Sequence, residues 1–149
     1  MDTRQKLETT LREAMRSRDE LRLRTVRMIM SAVKLTEVER GTALDESGLQ
    51  SILQKELKSR RESLSEAEKA GRTDLISAAQ AEIEFIETFL PAQLSAAELT
   101  ALAQAAIAAA GASSPADMGK VMKVLLPQVQ GRARGDEVSQ LVRRLLGAS

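Results

Sequence analysis

Four basic residues near the C-terminal end are the side chains best suited to a chemical role. Lys120 and Lys123 are three residues apart, and Arg132 and Arg134 belong to a glycine-flanked turn, Gly131-Arg-Ala-Arg-Gly135. Residues three apart share one side of a helix. Arginine beside exposed backbone amides suits anions such as phosphate. The set predicts a phosphate-contacting surface for nucleic acid, and the alternative is a solvated helix face beside a polar turn.

A second line of basic residues lies on a helix predicted between about Asp19 and Arg40. Its members Arg24, Arg27 and Lys34 fall on one side of that helix. They are the second choice for contact with nucleic acid. The favoured interpretation is that they pair with an acidic helix predicted from Thr73 to Phe89.

The chain contains no histidine and no cysteine, which excludes disulfides, thiol nucleophiles, histidine proton relays and the usual zinc sites. Its only aromatic residues, Phe85 and Phe89, are predicted to pack in a core, so they offer no stacking platform for bases. Carboxylates such as Glu82 and Glu84 lie on a predicted helix surface, where acids are far more often solvated than catalytic. We expect no catalytic residues, no metal site and no cofactor, and any nucleic acid would be held by its backbone and shape.

The elements that carry these side chains are predicted to be helices. Strong helix formers dominate the composition, and apolar residues recur at three- and four-residue steps with few alternating runs. We predict an all-α protein with four helices in residues 1–90 and a small three-helix bundle in residues 91–149. The boundary is placed at Pro91, where the composition changes from charged to alanine-rich. Helix starts are predicted at Asp2, Asp19, Asp45, Thr73, Ser95, Ser114 and Asp136.

The net charge is +1, and no apolar run approaches the roughly 20 residues of a membrane span. The first residues, Met-Asp-Thr-Arg-Gln-Lys, do not have the pattern of a signal peptide. We therefore expect a cytoplasmic protein with no membrane partner.

Motifs along the chain resemble those of the GatB/YqeY family. In its C-terminal part, Asp117-Met-Gly-Lys-Val-Met precedes a Pro-x-Val-x-Gly-Arg-Ala turn and the pair Val138 and Val142. The family turn usually reads Gly-Arg-Ala-Asp-Gly, whereas Arg134 stands at the Asp position here and makes the turn more basic. The upstream matches are Val26-Arg-Met-Ile-Met-Ser-Ala-Val-Lys34, Lys58-Ser-Arg-Arg-Glu-Ser63, Ala70-Gly-Arg-Thr-Asp-Leu75 and Phe89-Leu-Pro-Ala-Gln-Leu-Ser95.

The resemblance implies a stand-alone YqeY-like protein whose C-terminal part is similar to the tail domain of GatB, a component of the tRNA-dependent amidotransferase. It implies tRNA as a partner, with amidotransferase subunits or an aminoacyl-tRNA synthetase as further candidates. Arg132 is the first choice for RNA contact because it matches the Gly-Arg-Ala motif.

Three functions stay open at this point. The first is a non-catalytic tRNA-binding accessory module. The second is a component of carbon-nitrogen ligase activity with glutamine as amido donor, an enzyme association that comes from the family alone because the chain lacks the catalytic portion of GatB. The third is a helical protein-interaction module.

Overall fold

The computed structural model describes residues 2–147, and within that range it contains seven α-helices, one short 3-10 helix and no strand. The prediction of an all-α protein is therefore confirmed. The 3-10 helix covers Pro115–Asp117. The α-helices are α1 (Thr3–Ser17), α2 (Glu20–Arg40), α3 (Glu46–Ala70), α4 (Thr73–Glu87), α5 (Ala96–Ala110), α6 (Met118–Val129) and α7 (Gly135–Leu145).

Four predicted helix starts are N-caps in the structure. The carboxylates of Asp2, Asp19 and Asp45 each accept a hydrogen bond from the backbone N–H three residues on. Ser95 forms the predicted capping box, because its hydroxyl accepts from the Glu98 N–H and the Glu98 carboxylate accepts from the Ser95 N–H, both at 3.1 Å. Each such cap stabilises its helix by about 1 kcal/mol, so short local sequence patterns fix these boundaries.

The capping box predicted at Ser114 does not form. Its side chain makes no capping hydrogen bond, and the Asp117 carboxylate instead accepts from the Ser113 N–H at 3.0 Å. This bond fixes the chain as a 3-10 turn after Pro115, so α6 begins only at Met118. A competing donor one residue earlier explains the difference.

Two other predicted N-caps lie one and two residues after the N-caps that the structure shows. The N-cap of α4 is Arg72, one residue before the predicted Thr73, and no side chain caps it. The N-cap of α7 is Arg134, whose side chain binds Asp136. Asp136 is therefore inside the first turn of α7 as a partner of Arg134 and does not cap the helix.

The chain divides into two compact units, Met1–Pro91 and Ala92–Ser149. The first has a largely aliphatic core to which α1, α2, α3 and α4 all contribute. Both aromatic residues lie in it as predicted, with their ring centroids 5.3 Å apart in an edge-to-face contact. The buried members are Leu7, Val26, Ile29, Val33, Leu44, Leu49, Leu53, Leu57, Phe85, Ile86 and Phe89.

The second unit packs α5, α6 and α7 around its own core. Ala103 and Ala106 of α5 are almost fully buried, and such small side chains let neighbouring helices approach closely. After α6 ends at Val129, Gly131 adopts a φ of +75°, which reverses the chain at little steric cost. The buried members are Leu99, Ala103, Ala106, Val121, Leu125, Val129, Val138, Leu141, Val142 and Leu146.

We propose that each unit folds as a domain, which a core variant can test. Leu53 is fully buried, so Leu53→Ala should lower the free energy of unfolding of the first unit by about 3 kcal/mol. Amide hydrogen exchange on the full chain should show lost protection in α1–α4 and unchanged protection in α5–α7.

The matched control is Leu35→Ala, because Leu35 is 60% exposed and its loss should change the free energy of unfolding by less than about 0.5 kcal/mol. A parallel loss of protection in α5–α7 on Leu53→Ala would show that the two units unfold as one.

Candidate nucleic-acid interface

The turn after α6 is held to the segment before α5 by three hydrogen bonds. The Leu94 N–H donates to the Arg132 carbonyl at 3.0 Å, and the Arg132 Nε–H donates to the Ala92 carbonyl at 3.1 Å. The Gln93 side-chain amide donates to the Gly131 carbonyl at 2.8 Å. Arg132 therefore holds the turn in place, and only its two terminal guanidinium nitrogens are left for an external anion.

Arg134 lies in the same turn and has a different environment. Its guanidinium binds the Asp136 carboxylate, and its side chain is only 22% exposed. The ion pair offsets its positive charge within the turn. Arg134 is consequently the least available of the four predicted contacts.

Lys120 and Lys123 are both exposed on α6. The Lys120 ammonium lies 3.7 Å from the Asp117 carboxylate, whereas within residues 2–147 no acidic side chain lies at ion-pair distance from Lys123. Lys120 precedes the end of α6 at Val129 by nine residues, or about 14 Å along the helix axis. Lys120 therefore lies near the start of α6, Lys123 lies at its middle, and the two arginines lie in the turn beyond its end.

The acidic residues of the C-terminal unit lie at helix starts, where backbone N–H groups and the helix dipole stabilise negative charge. A hydrogen bond from the Ser113 N–H is the main cause that lowers the pKa of Asp117 below its ordinary 3.8. The backbone and hydroxyl of Ser95 lower the pKa of Glu98 below 4.5. Backbone groups therefore stabilise two of the carboxylates of this unit, and Arg134 pairs with a third, Asp136. Its acids are Glu98, Asp117, Asp136 and Glu137.

Two basic residues of this unit were missed by the sequence analysis. Arg143 and Arg144 are exposed in the last turn of α7, where the helix dipole favours cations. Neither has an acid at ion-pair distance among the residues that the structure describes. The sequence could have shown this, because the spacing of the apolar residues of α7 places both arginines on the exposed side of the helix. Residues 92–149 contain six basic and four acidic residues, so the unit has a net positive charge.

The three basic residues predicted as the second choice for nucleic-acid contact have different environments in the structure. Arg24 pairs with Glu82 of the acidic helix α4 at 3.2 Å, as the favoured interpretation predicted. For Arg27 and Lys34 that interpretation is wrong, because neither has an acidic partner at ion-pair distance within residues 2–147. Both line a cavity beside α1. Lys34 is ten residues beyond Arg24, or about 15 Å further along α2 from the contact with Glu82.

No helix in the described part of the chain is long and apolar enough to cross a membrane. Among the same residues, no three acidic, histidine or cysteine side chains are grouped so that they could hold a metal ion.

The fold and these side chains define an all-α protein that carries a basic, solvent-facing helical surface on its C-terminal unit. The family model described as Yqey-like protein matches residues 4–146. The chain therefore belongs to the YqeY-like family, as the resemblance of its motifs indicated.

Curated relatives include fungal proteins named Altered inheritance of mitochondria protein 41, mitochondrial. The Lachancea thermotolerans relative is 34% identical over 91 residues, which cover 60% of this chain and 49% of that protein. The Pyrenophora tritici-repentis relative is 27% identical over 147 residues, which cover 96% of this chain and 80% of that protein. The Eremothecium gossypii relative is 34% identical over 102 residues, which cover 66% of this chain and 56% of that protein. The chain thus spans about half the length of the first and third of these relatives.

The structural role of Arg132 can be separated from any binding role. Arg132→Ala removes the donor to the Ala92 carbonyl and should lower the free energy of unfolding by about 1 kcal/mol, since the bond is solvent-exposed. Lys123→Ala should change it by less than about 0.5 kcal/mol. Urea unfolding followed by circular dichroism measures both, and equal stability of the two variants would contradict the role of Arg132 in the turn.

The lowered pKa of Asp117 predicts how stability depends on pH. A carboxyl group whose pKa is lower in the folded state stabilises the fold above its unfolded pKa, and this contribution is lost as the pH falls through the folded pKa. Wild-type protein should therefore have a higher Tm than Asp117→Asn near neutral pH, and the difference should shrink as the pH falls below 3.8, the ordinary pKa of Asp117. Asparagine can still accept the Ser113 hydrogen bond, so the variant isolates the charge. A difference in Tm that persists into strong acid would contradict this assignment.

Proposed function

We propose that this YqeY-like protein is a non-catalytic accessory protein that binds tRNA through phosphate contacts on its C-terminal unit. The observation that carries the proposal is the separation of charge in residues 92–149. The acids lie at helix starts, whereas Lys123, Arg143 and Arg144 are exposed without an acidic partner among the described residues. Lysine and arginine that are free of internal partners can neutralise phosphates and release their counterions, which drives binding to nucleic acid.

The composition of this unit also indicates the mode of recognition. Residues 92–149 contain no aromatic side chain, and both phenylalanines of the chain pack in the core of the other unit. Bases therefore have no aromatic surface in the C-terminal unit on which to stack. Binding should depend on the shape and backbone of a folded RNA such as tRNA and vary little with its sequence.

The predicted contacts have unequal roles in this proposal. Lys123 is a direct phosphate contact because no acid of residues 2–147 lies at ion-pair distance from it. Lys120 shares its charge with Asp117 through a long, exposed ion pair, which a phosphate can replace at little cost. Arg132 holds the turn with Nε and presents its terminal nitrogens, while Arg134 contributes least because Asp136 binds it.

The resemblance of the C-terminal motifs to the tail domain of GatB supports tRNA as the ligand. We assign no amidotransferase activity to this chain and propose that any such enzyme, or an aminoacyl-tRNA synthetase, is a partner. A cytoplasmic location belongs to the same proposal. Because the named relatives are mitochondrial proteins, fractionation of source cells with an antibody against this chain is the direct test.

The test of tRNA binding is affinity as a function of salt. The logarithm of the association constant should fall linearly with the logarithm of the salt concentration. Lys120→Ala/Lys123→Ala should make this slope shallower by about 1.4–1.8, or about 0.7–0.9 for each lost phosphate contact. The matched control is Lys55→Ala/Lys69→Ala, which removes the same charge from exposed positions of α3. Arg132→Lys keeps the charge of the turn and should retain most of the affinity.

The outcomes separate the three functions. Equal slopes for wild type and the Lys120/Lys123 variant, with helicity unchanged, would exclude this surface as the RNA site. Glutamine hydrolysis by the pure protein would favour the amidotransferase component. A protein partner that stays bound at high salt, in the absence of RNA binding, would favour the interaction module.

A further inference from the structure

A cavity of about 580 Å³ lies between α1 and α2, with Leu49 of α3 in its lining. Its volume falls in the range of small-molecule sites, about 300–1,000 Å³. The side chains of its interior are aliphatic and include a flexible methionine, which adapts to ligands of different shape. They are Leu7, Leu11, Met30, Val33 and Leu49.

One rim of the cavity is cationic. Arg27, Ser31 and Lys34 follow one another at steps of four and three along α2, so they share one side of that helix. All three are exposed, and neither cation has an acidic partner at ion-pair distance within residues 2–147. A guanidinium, a hydroxyl and an ammonium therefore border an apolar space, and each can donate hydrogen bonds to an anion.

With the remaining charges included, three basic and two acidic side chains line the cavity, so its net charge is positive. Arg4 lies 2.5 Å from Glu37, whose carboxylate also accepts from the Leu44 N–H at 2.7 Å. The Arg4 hydrogen bond is the largest cause of the lowered pKa of Glu37, so this pair is satisfied internally. Glu8 is the one other acid in the lining, and no basic side chain of the described residues lies within ion-pair distance of it.

We infer that this cavity binds a small amphipathic anion, an unbranched alkyl chain with a single anionic head group. The alkyl chain covers the aliphatic interior, and the head group accepts hydrogen bonds from Arg27, Ser31 and Lys34. Charge complementarity selects the ligand, because an anion supplies the partner that Arg27 and Lys34 do not have among the described residues. The inference concerns the first unit alone and does not depend on RNA binding by the second.

The two parts of the ligand contribute in measurable ways. Burial of each additional CH₂ group should raise the affinity about fourfold until the interior is filled. Loss of both cations should lower the affinity roughly tenfold, since hydrogen bonds to charged groups are the stronger ones. Removal of the Glu8 charge should raise the affinity, because Glu8 repels the bound anion.

Methionine methyl groups provide a local readout. The chain has six methionines, and Met30 lines the cavity while Met118 and Met122 belong to the second unit. The full-length protein, labelled at its methionine methyl carbons, is titrated with decanoate and with decyl phosphate below their micelle-forming concentrations. Saturable movement of the Met30 signal, with the Met118 and Met122 signals fixed, is the expected result. The tighter ligand identifies the head group as carboxylate or phosphate.

Ligand and protein variants complete the test. Decanol and decyltrimethylammonium carry the same chain without negative charge and should bind at least about tenfold more weakly than decanoate. Arg27→Ala/Lys34→Ala should weaken decanoate binding, Glu8→Gln should strengthen it, and Arg16→Ala/Lys55→Ala should leave it unchanged as a control of equal charge. Equal binding of decanol and decanoate, equal loss in both double variants, or a Met30 signal that does not move would overturn the inference.

Discussion

An ion-pair network in the first unit is centred on the carboxylate of Glu82. Its two oxygens meet Arg60 of α3 at 2.7 Å and Arg24 of α2 at 3.2 Å, so one side chain of α4 connects three helices. The side chains of Glu82 and Arg60 are only 17% and 16% exposed, which makes an unpaired charge at either position costly. The Arg60 Nε–H is not aligned for a hydrogen bond to Glu82, and Glu56 lies 3.7 Å from the other end of the guanidinium. The contact is therefore an ion pair within a network of four charges.

The position of Glu82 also bears on which basic residues of α2 have an acidic partner. Arg24 is the member of the α2 line that reaches Glu82, and Lys34 lies ten residues further, or about 15 Å along the helix. The Glu82 carboxylate cannot contact both Arg24 and Lys34 across that distance. Arg27 and Lys34 line the cavity between α1 and α2, and neither has an acid at ion-pair distance among the described residues. The same basic line thus has one end, Arg24, that takes part in an ion pair between helices.

The C-terminal unit distributes charge in another way. Two of its acids, Glu98 and Asp117, are stabilised chiefly by backbone N–H groups at helix starts. Lys123, Arg143 and Arg144 have no acid at ion-pair distance among the described residues. The Arg132 guanidinium has a structural role, because its Nε–H donates to the Ala92 carbonyl and so holds the turn. A positive surface arises here although the whole chain has a net charge of only +1.

The sequence by itself determined the class of fold, the YqeY-like family and most helix starts. Caps such as those of Asp19 and Ser95 form within one helical turn, so their energetics are present in four consecutive residues. The tertiary structure alone decided which cations are paired. The Arg24 contact with Glu82 spans 58 positions, and the Arg132 contact with Ala92 spans 40. Such contacts depend on how helices pack, which local periodicity does not specify, and the cavity beside Arg27 and Lys34 exists only because α1 and α2 leave that space between them.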